Sequence, residues 1–150
     1  MNVSGEVGKN GDFELLPEHL EKWERINGRI PKGVILLVNF GWSKRYGKRV
    51  SYYGNITAPY KFPGISVAAA RWIISHGGIY GVGLDTPSLD PGYSDTYPAH
   101  NLILNANIFG LENLALDGVH IPPKGFKVIA LPLKITEGTG SPCRVVLDDL

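Results

Sequence analysis

"PGISVAAARWIISHGGIYGVGL", residues 63–84, is the stretch whose reading decides the fold. Ser66 stands where a helix N-cap is wanted, Ala70, Ile73 and Ile74 define an apolar face, and Gly77 or Gly78 supplies the stop. The strand "IYGVGL" follows at once. Upstream, "GVILLVNF", residues 33–40, is a continuous β-branched run bounded by turn residues, which predicts a strand covered on both faces and central in its sheet. Strand, helix and strand with tight Gly and Pro punctuation is the layout of an α/β domain.

Working outward, "LLPEHLEKWERINGRIPKG" predicts a short helix with Pro17 pre-set for its first turn, Leu20 and Trp23 on one face, and Gly28 ending it before Pro31. The Gly-rich residues 1–14 are expected to be flexible, and residues 15–150 to form a single domain. Near the C-terminus, "VHIPPKGFKVIALPLKI" and "SPCRVVLDD" predict two strands joined by the turn "TEGTG". There is no internal repeat.

At 150 residues, a chain with 43% hydrophobic and 19% charged residues can bury one core without staples. Its net charge of +1 gives no electrostatic case for nucleic acid or an anionic membrane as partner. Lys44, Arg45, Lys48 and Arg49, interleaved with Trp42, Tyr46, Tyr52 and Tyr53, read as a solvated loop or a small patch for an acidic ligand. Cys143 is the only cysteine, so neither an intrachain disulfide nor a multi-cysteine metal cluster can form. No apolar run approaches the roughly 18 residues a membrane span requires, and residues 1–12 lack the apolar core of a secretory signal. The expected location is the cytoplasm, or the extracellular space if a leader precedes Met1. The sequons at Asn2 and Asn55 are short enough to arise by chance.

Two places carry residues suited to chemistry. Asp85 ends an apolar strand and is followed by Thr86, Pro87 and Ser88; loops at the carboxyl ends of strands are frequent ligand sites, while the plainer reading is a loop-stapling hydrogen bond. The second is "PAHNLILNANIFGLENL", residues 98–114, apolar apart from His100, Glu112 and amides. A carboxylate flanked by Phe109, Leu111 and Leu114 must reach solvent, find a cation or ligate a metal. Imidazole and carboxylate are ordinary ligands of zinc or manganese. The spacing of one His and one Glu alone leaves all these readings open.

The tracts "FPGISVAAARWIISHGGIYGVGLDTPSLDPG", "HNLILNANIFGLENL" and "IPPKGFKVIALPLKITEGTGSPCRVV", preceded by "LPEHLEKWERINGRIPKGVILLVNFGW", resemble in order the C-terminal part of the cyclase family of metal-dependent hydrolases. That family includes bacterial-type kynurenine formamidase and isatin hydrolase. The resemblance implies a swivelling β/β/α-type domain with a mixed sheet and packed helices. It implies that His100 and Glu112 are the downstream metal ligands for zinc or manganese. Asp85, Ser88, Asn113 and Trp42 become candidates to line the substrate pocket, Trp42 as packing for an aryl group. The implied reaction is hydrolysis of an aryl formamide or a cyclic amide, such as N-formylkynurenine to kynurenine and formate in tryptophan breakdown. The metal would acidify a water and polarise the carbonyl. Self-association into a homo-oligomer is expected as well.

One element of the family pattern is missing. The upstream motif His-x-Gly-Thr-His-x-Asp-x-Pro-x-His, which supplies the remaining ligands and an acid/base histidine, does not occur here. His19, His76 and His120 have no second histidine at the needed spacing and read as structural or exposed. The chain is therefore expected to hold no catalytic residue of its own and an incomplete metal site, as a truncated product does. The alternative expectation is a non-catalytic remnant that binds small molecules or a partner.

Overall fold

The computed structural model describes residues 1–149. In chain order the described residues form α1 (Ser4–Val7), β1 (Glu14–Leu15), α2 (Pro17–Asn27), β2 (Val34–Val38), α3 (Arg49–Tyr53), β3 (Gly64–Ile65), α4 (Val67–His76), β4 (Ile79–Leu84), α5 (Pro98–Asn105), β5 (Phe109–Leu111), β6 (Phe126–Pro132) and β7 (Cys143–Asp149). A 3-10 turn spans Ser43–Arg45. The chain divides into two compact units, Met1–Val119 and His120–Leu150, where a single domain over residues 15–150 was expected. No helix among the described residues is long and apolar enough to cross a membrane.

The fold class is α/β, as expected. The first unit is organised by a three-stranded parallel sheet in the order β2-β4-β5. The strand predicted to be central, β2, lies at an edge of this sheet, and β4 takes the centre. The reason is visible in β4 itself. A Cβ on Gly81 would come 2.5 Å from the Phe109 ring, and one on Gly83 would come 2.7 Å from Leu37 and 2.8 Å from Leu114. Two bare backbone positions let large side chains of both neighbouring strands close over β4, which is what a fully buried strand flanked on both sides requires. The mixed sheet implied by resemblance resolves into parallel ladders in the first unit and an antiparallel pair in the second.

Helix α4 forms as its sequence predicts. Ser66 Oγ accepts the Ala69 N–H at 3.0 Å, and Gly77 closes the helix in a left-handed conformation with φ 68°. The fully buried residues on its inward face are Ala69, Ala70 and Ile73, and Ile74 packs against the core partly buried. Small residues on that face permit the close packing of α5 on α4. Helix α2 is capped by His19, whose Nδ1 accepts the Leu16 N–H at 2.8 Å while Nε2 lies 3.2 Å from Glu6.

Residues 1–14, expected to be flexible, are held down. Val3 and Val7 are buried in the core, Asn2 bridges Asn39 beside β2, and Lys22 donates to Glu6 at 2.8 Å. Two buried valines in this segment supply the apolar burial that its glycines and polar residues obscure.

The second unit is a hairpin in which β6 and β7 pair over seven positions, Phe126↔Asp149 to Pro132↔Cys143. Alternate β6 residues are half-buried, and Ile129, Leu131, Leu133, Ile135 and Val146 are exposed large apolar side chains.

The tightest backbone approach in the first unit joins β3 to the loop after β4. A Cβ on Gly64 would lie 2.2 Å from Pro91 N and 2.3 Å from Asp90 C, so neither strand nor loop can give way by a side-chain rotation. Gly64→Ala is expected to destabilise the protein by about 2–3 kcal/mol in urea denaturation. Gly47→Ala, at a position open to solvent with nothing within 4 Å, is expected to change stability by less than about 0.5 kcal/mol.

Candidate metal centre

Parallel strands deliver their carboxyl ends to one side of a sheet, where the connecting loops meet. Three loops meet here. The first follows β2 and carries Phe40 to Ser43. Its backbone is gathered by Asp85, which is fully buried and accepts the N–H of Phe40 at 2.8 Å, of Trp42, and of Ser43 at 2.9 Å. A carboxylate with three backbone donors can be buried without a cation. Asp85 therefore staples the loop. Trp42 is likewise in the core, 1% exposed, with its indole N–H donated to Tyr52 O at 2.8 Å and the Arg45 guanidinium 3.6 Å from its ring centroid. Asp85 and Trp42, expected to line a substrate pocket, are thus both buried, the carboxylate bonded to the loop after β2 and the indole to the Tyr52 carbonyl.

The second loop, Asp85 to Tyr97, follows β4, and the third follows β5 and begins at Glu112. They are tied together by Asn113 N–H to Thr86 O at 2.9 Å and Leu114 N–H to Leu84 O at 3.1 Å. Tyr52 is buried, and its hydroxyl lies 2.9 Å from Asn113 Oδ1 and 3.2 Å from Asp85 O, joining all three loops. Asn113 itself has φ 58°, a left-handed conformation that asparagine tolerates better than most residues. Ser88 is half-buried, and its Oγ accepts the Asp90 N–H at 3.2 Å.

His100 and Glu112, 12 positions apart along the chain, are brought face to face by this arrangement. His100 sits in the first turn of α5; the chain then reverses into β5 and returns Glu112 to the same end of the sheet. His100 Nε2 lies 2.9 Å from Glu112 Oε1, which also accepts the Leu89 N–H at 3.1 Å. On its other side, His100 Nδ1 lies 2.6 Å from Asp90 Oδ2. Asp90 is 1% exposed and also accepts the N–H of Ala99 at 2.7 Å and of His100 at 3.0 Å.

Asp90 was missed by sequence reasoning. It stands ten positions before His100, across a Pro- and Gly-containing loop, and the only signal that marked it was the Asp-Pro-Gly turn.

The electrostatics follow from this sandwich. The hydrogen bond to Asp90, then the one to Glu112, outweigh burial and push the His100 imidazole up to about 9. Burial alone would raise the Asp90 carboxyl, but hydrogen bonds from the His100 ring and from the backbone of Ala99 and His100 hold it below its ordinary value. The donor chemistry suits a divalent cation: an imidazole nitrogen and a carboxylate oxygen converge on one point, and a second carboxylate backs the imidazole. The number does not reach that of a complete site, because the described residues contain no group of three or more His, Cys, Asp or Glu side chains that could hold a metal.

The other histidines stand elsewhere. His19 caps α2, His120 is exposed, and His76 is buried at the end of α4, stacked on Trp72 with Nε2 3.4 Å from Glu24.

A raised histidine stabilises the folded state where it is charged and loses that contribution as it deprotonates. The His100 contribution is thus fully present below its ordinary value of 6.5 and vanishes as pH rises through about 9. The depressed Asp90 contributes above its ordinary 3.8, and that part is lost as pH falls through its folded value. In metal-free protein, the His100 share of urea stability, read as the difference from His100→Gln, is expected to fall between pH 6.5 and 9 by on the order of 2 kcal/mol, while the buried Met1 amine, lowered to about 6, acts in the opposite direction in both proteins. His100→Gln, which carries no titrating ring, is expected to keep only the Met1 contribution.

Comparison with known proteins places this geometry in a family. A family model described as "Putative cyclase" matches residues 1–91. Isatin hydrolase of Roseibium aggregatum is 35% identical over 152 aligned residues, covering 97% of this chain and 56% of the relative. Kynurenine formamidase of Sphingopyxis alaskensis is 32% identical over 155 aligned residues, covering 100% of this chain and 73% of the relative. The solved structure of isatin hydrolase A from Ralstonia solanacearum superposes with a TM-score of 0.89 at 35% identity, over 98% of this chain and 57% of that one. The chain thus spans little more than half the length of the isatin hydrolases it matches. Matched by the family model over more than half its residues, and by a curated relative along its whole length, the chain belongs to the cyclase family.

Proposed function

We propose that this chain contributes the downstream half of a divalent-metal-dependent amide hydrolase acting on an aryl formamide or a cyclic aryl amide, with arylformamidase chemistry as the best-supported form. The observation that carries this reading is the 2.9 Å convergence of His100 Nε2 and Glu112 Oε1, with Asp90 behind the ring. The names of the relatives, isatin hydrolase and kynurenine formamidase, support a small aromatic amide as substrate.

In this reading His100 and Glu112 hold the cation, zinc or manganese. When bound, a divalent cation supplies Lewis acidity towards a carbonyl and a water. The protein's own contribution is positional. Glu112 Oε1 is aimed by the Leu89 N–H, His100 is aimed by Asp90, and the two loops that carry them are locked by the Tyr52 hydroxyl and the Thr86 carbonyl. Ser88 and Asn113, at the rims of these loops, are the side chains placed to meet a substrate. The remaining ligands and the acid/base histidine are to come from a polypeptide segment bearing the family's upstream motif.

Self-association is part of the same proposal. Ile129, Leu131, Leu133, Ile135 and Val146 leave apolar side chains exposed on a two-stranded unit, and such hairpins are marginal unless packed against something else.

The second reading, a non-catalytic protein that binds a small molecule or a partner, is favoured by one observation: two donors make a weak metal site. Metal uptake and formamide and isatin hydrolysis, measured on the purified chain, separate the two. The hydrolase reading expects Zn2+ or Mn2+ to bind. It expects His100→Ala and Glu112→Ala each to weaken that binding by at least about tenfold and to abolish any turnover. Absence of metal and of turnover in the unmodified chain would leave the binding protein.

A further inference from the structure

We propose that Tyr97 is a specificity-determining residue, whose exposed ring is the wall against which the aryl group of the substrate packs. This deepens the hydrolase reading and rests on it for what the contact is for, while the contact itself stands on the geometry of the turn into α5.

Tyr97 holds a backbone conformation that a bulky residue avoids. Its φ of 49° and ψ of 50° are left-handed, where a side chain costs free energy that glycine escapes. Pro98 follows it, and a residue before proline is driven towards extended conformations, which adds to the strain. Glycine would make this turn more easily. Strain of this kind persists where the surroundings over-determine it, and it gathers at sites that bind or react. Here the Asn101 N–H donates to Tyr97 O at 3.0 Å and the Asn101 side-chain amide to Thr96 O at 3.1 Å, so two successive carbonyls of the turn are held.

What the strained turn achieves is the placement of a ring. Tyr97 precedes His100 by three positions, a spacing that brings side chains together on one face of a helix. The two rings meet in a T-shaped contact, centroids 5.9 Å apart and planes at 87°. Both nitrogens of His100 are engaged elsewhere, Nδ1 facing Asp90 and Nε2 facing Glu112. Tyr97 therefore flanks the candidate ligand pair without entering it. Its ring is nonetheless 52% exposed, and its hydroxyl has no hydrogen-bond partner among the described residues. Neighbouring tyrosines are committed: Tyr52 is buried and bonded to Asn113 and Asp85, and Tyr93 donates to Glu14 at 2.7 Å. A ring kept for packing would be covered, and one kept for its hydroxyl would be bonded.

An aryl amide whose carbonyl is directed to the point where His100 and Glu112 converge brings its ring against Tyr97. Aromatic pairs gain from offset or T-shaped contact beyond the area they bury, and a saturated ring of the same size does not. Tyr97 thereby selects for aromaticity and not for apolar bulk alone.

The test compares formanilide with its saturated counterpart N-cyclohexylformamide as ligands of the chain, unmodified and as Tyr97→Phe, Tyr97→Leu and Tyr97→Gly, by ligand-observed NMR titration. Zn2+ uptake is measured on the same samples by competition with a chromophoric chelator. The unmodified chain and Tyr97→Phe are expected to prefer formanilide by about 2–10-fold, the range that one aromatic contact supplies. Tyr97→Leu and Tyr97→Gly are expected to bind the two ligands alike. Tyr97→Gly relieves the left-handed strain and is expected to unfold at no lower urea concentration than the unmodified chain. If it does not fold, Tyr97→Leu, which keeps an apolar side chain in the same backbone, decides. The inference is overturned if the unmodified chain binds neither ligand or both equally, or if the preference survives in Tyr97→Leu and Tyr97→Gly. A preference that follows Tyr97 without Zn2+ uptake sinks the metal reading and leaves this one; Zn2+ uptake with a preference indifferent to Tyr97 does the reverse.

Discussion

Parallel pairing of β2, β4 and β5 is the constraint from which the rest follows. It forces the chain to leave each strand on the same side of the sheet, so Phe40–Ser43, Asp85–Asp90 and Glu112–Asn113 become neighbours although they are far apart in sequence. Polar backbone brought together in that way has to be satisfied without the ladder. Asp85 does this for the first loop, Asp90 for the start of α5, and the amide–carbonyl bonds of Asn113 and Leu114 for the third. The site is built from the same groups that solve this accounting problem.

The two buried aspartates divide the labour by what faces them. Asp85 is surrounded by backbone N–H groups of one loop and has no titratable donor, so it acts as a staple. Asp90 has two backbone donors and an imidazole, and so couples the start of α5 to a titratable side chain. Their placement is similar, six and one residues before the loop's tightest contact with β3, but only one has a histidine in reach.

Much of the scaffold was legible because its signals are local. Ser66 and Gly77 mark α4 by chemistry that acts within a few residues, the turn after β6 separates two apolar runs, and Pro17 and Gly28 bracket α2. The centre of the sheet was not legible from β2, because a continuous apolar run states only that a strand is covered; the neighbour relation was written in the glycines of β4. The facing of His100 and Glu112 entered through resemblance, since a helix and a strand intervene and spacing alone left several readings open. Asp90 lay beyond local reach for the same reason, its partners being a helix start that no sequence rule attaches to an aspartate so far upstream. The anchoring of residues 1–14 was hidden by composition: two valines among glycines and polar residues look like a tail until β2 is there to receive them.

The Tyr52 hydroxyl has one hydrogen and two carbonyl-type acceptors, Asp85 O and Asn113 Oδ1, belonging to different loops. A phenol that donates strongly absorbs and emits differently from one left to solvent, and this one is enclosed by Tyr46 and Tyr53 as edge-on neighbours. One hydroxyl thus touches two loops at once, and Tyr52→Phe removes the contact that the two oxygens share.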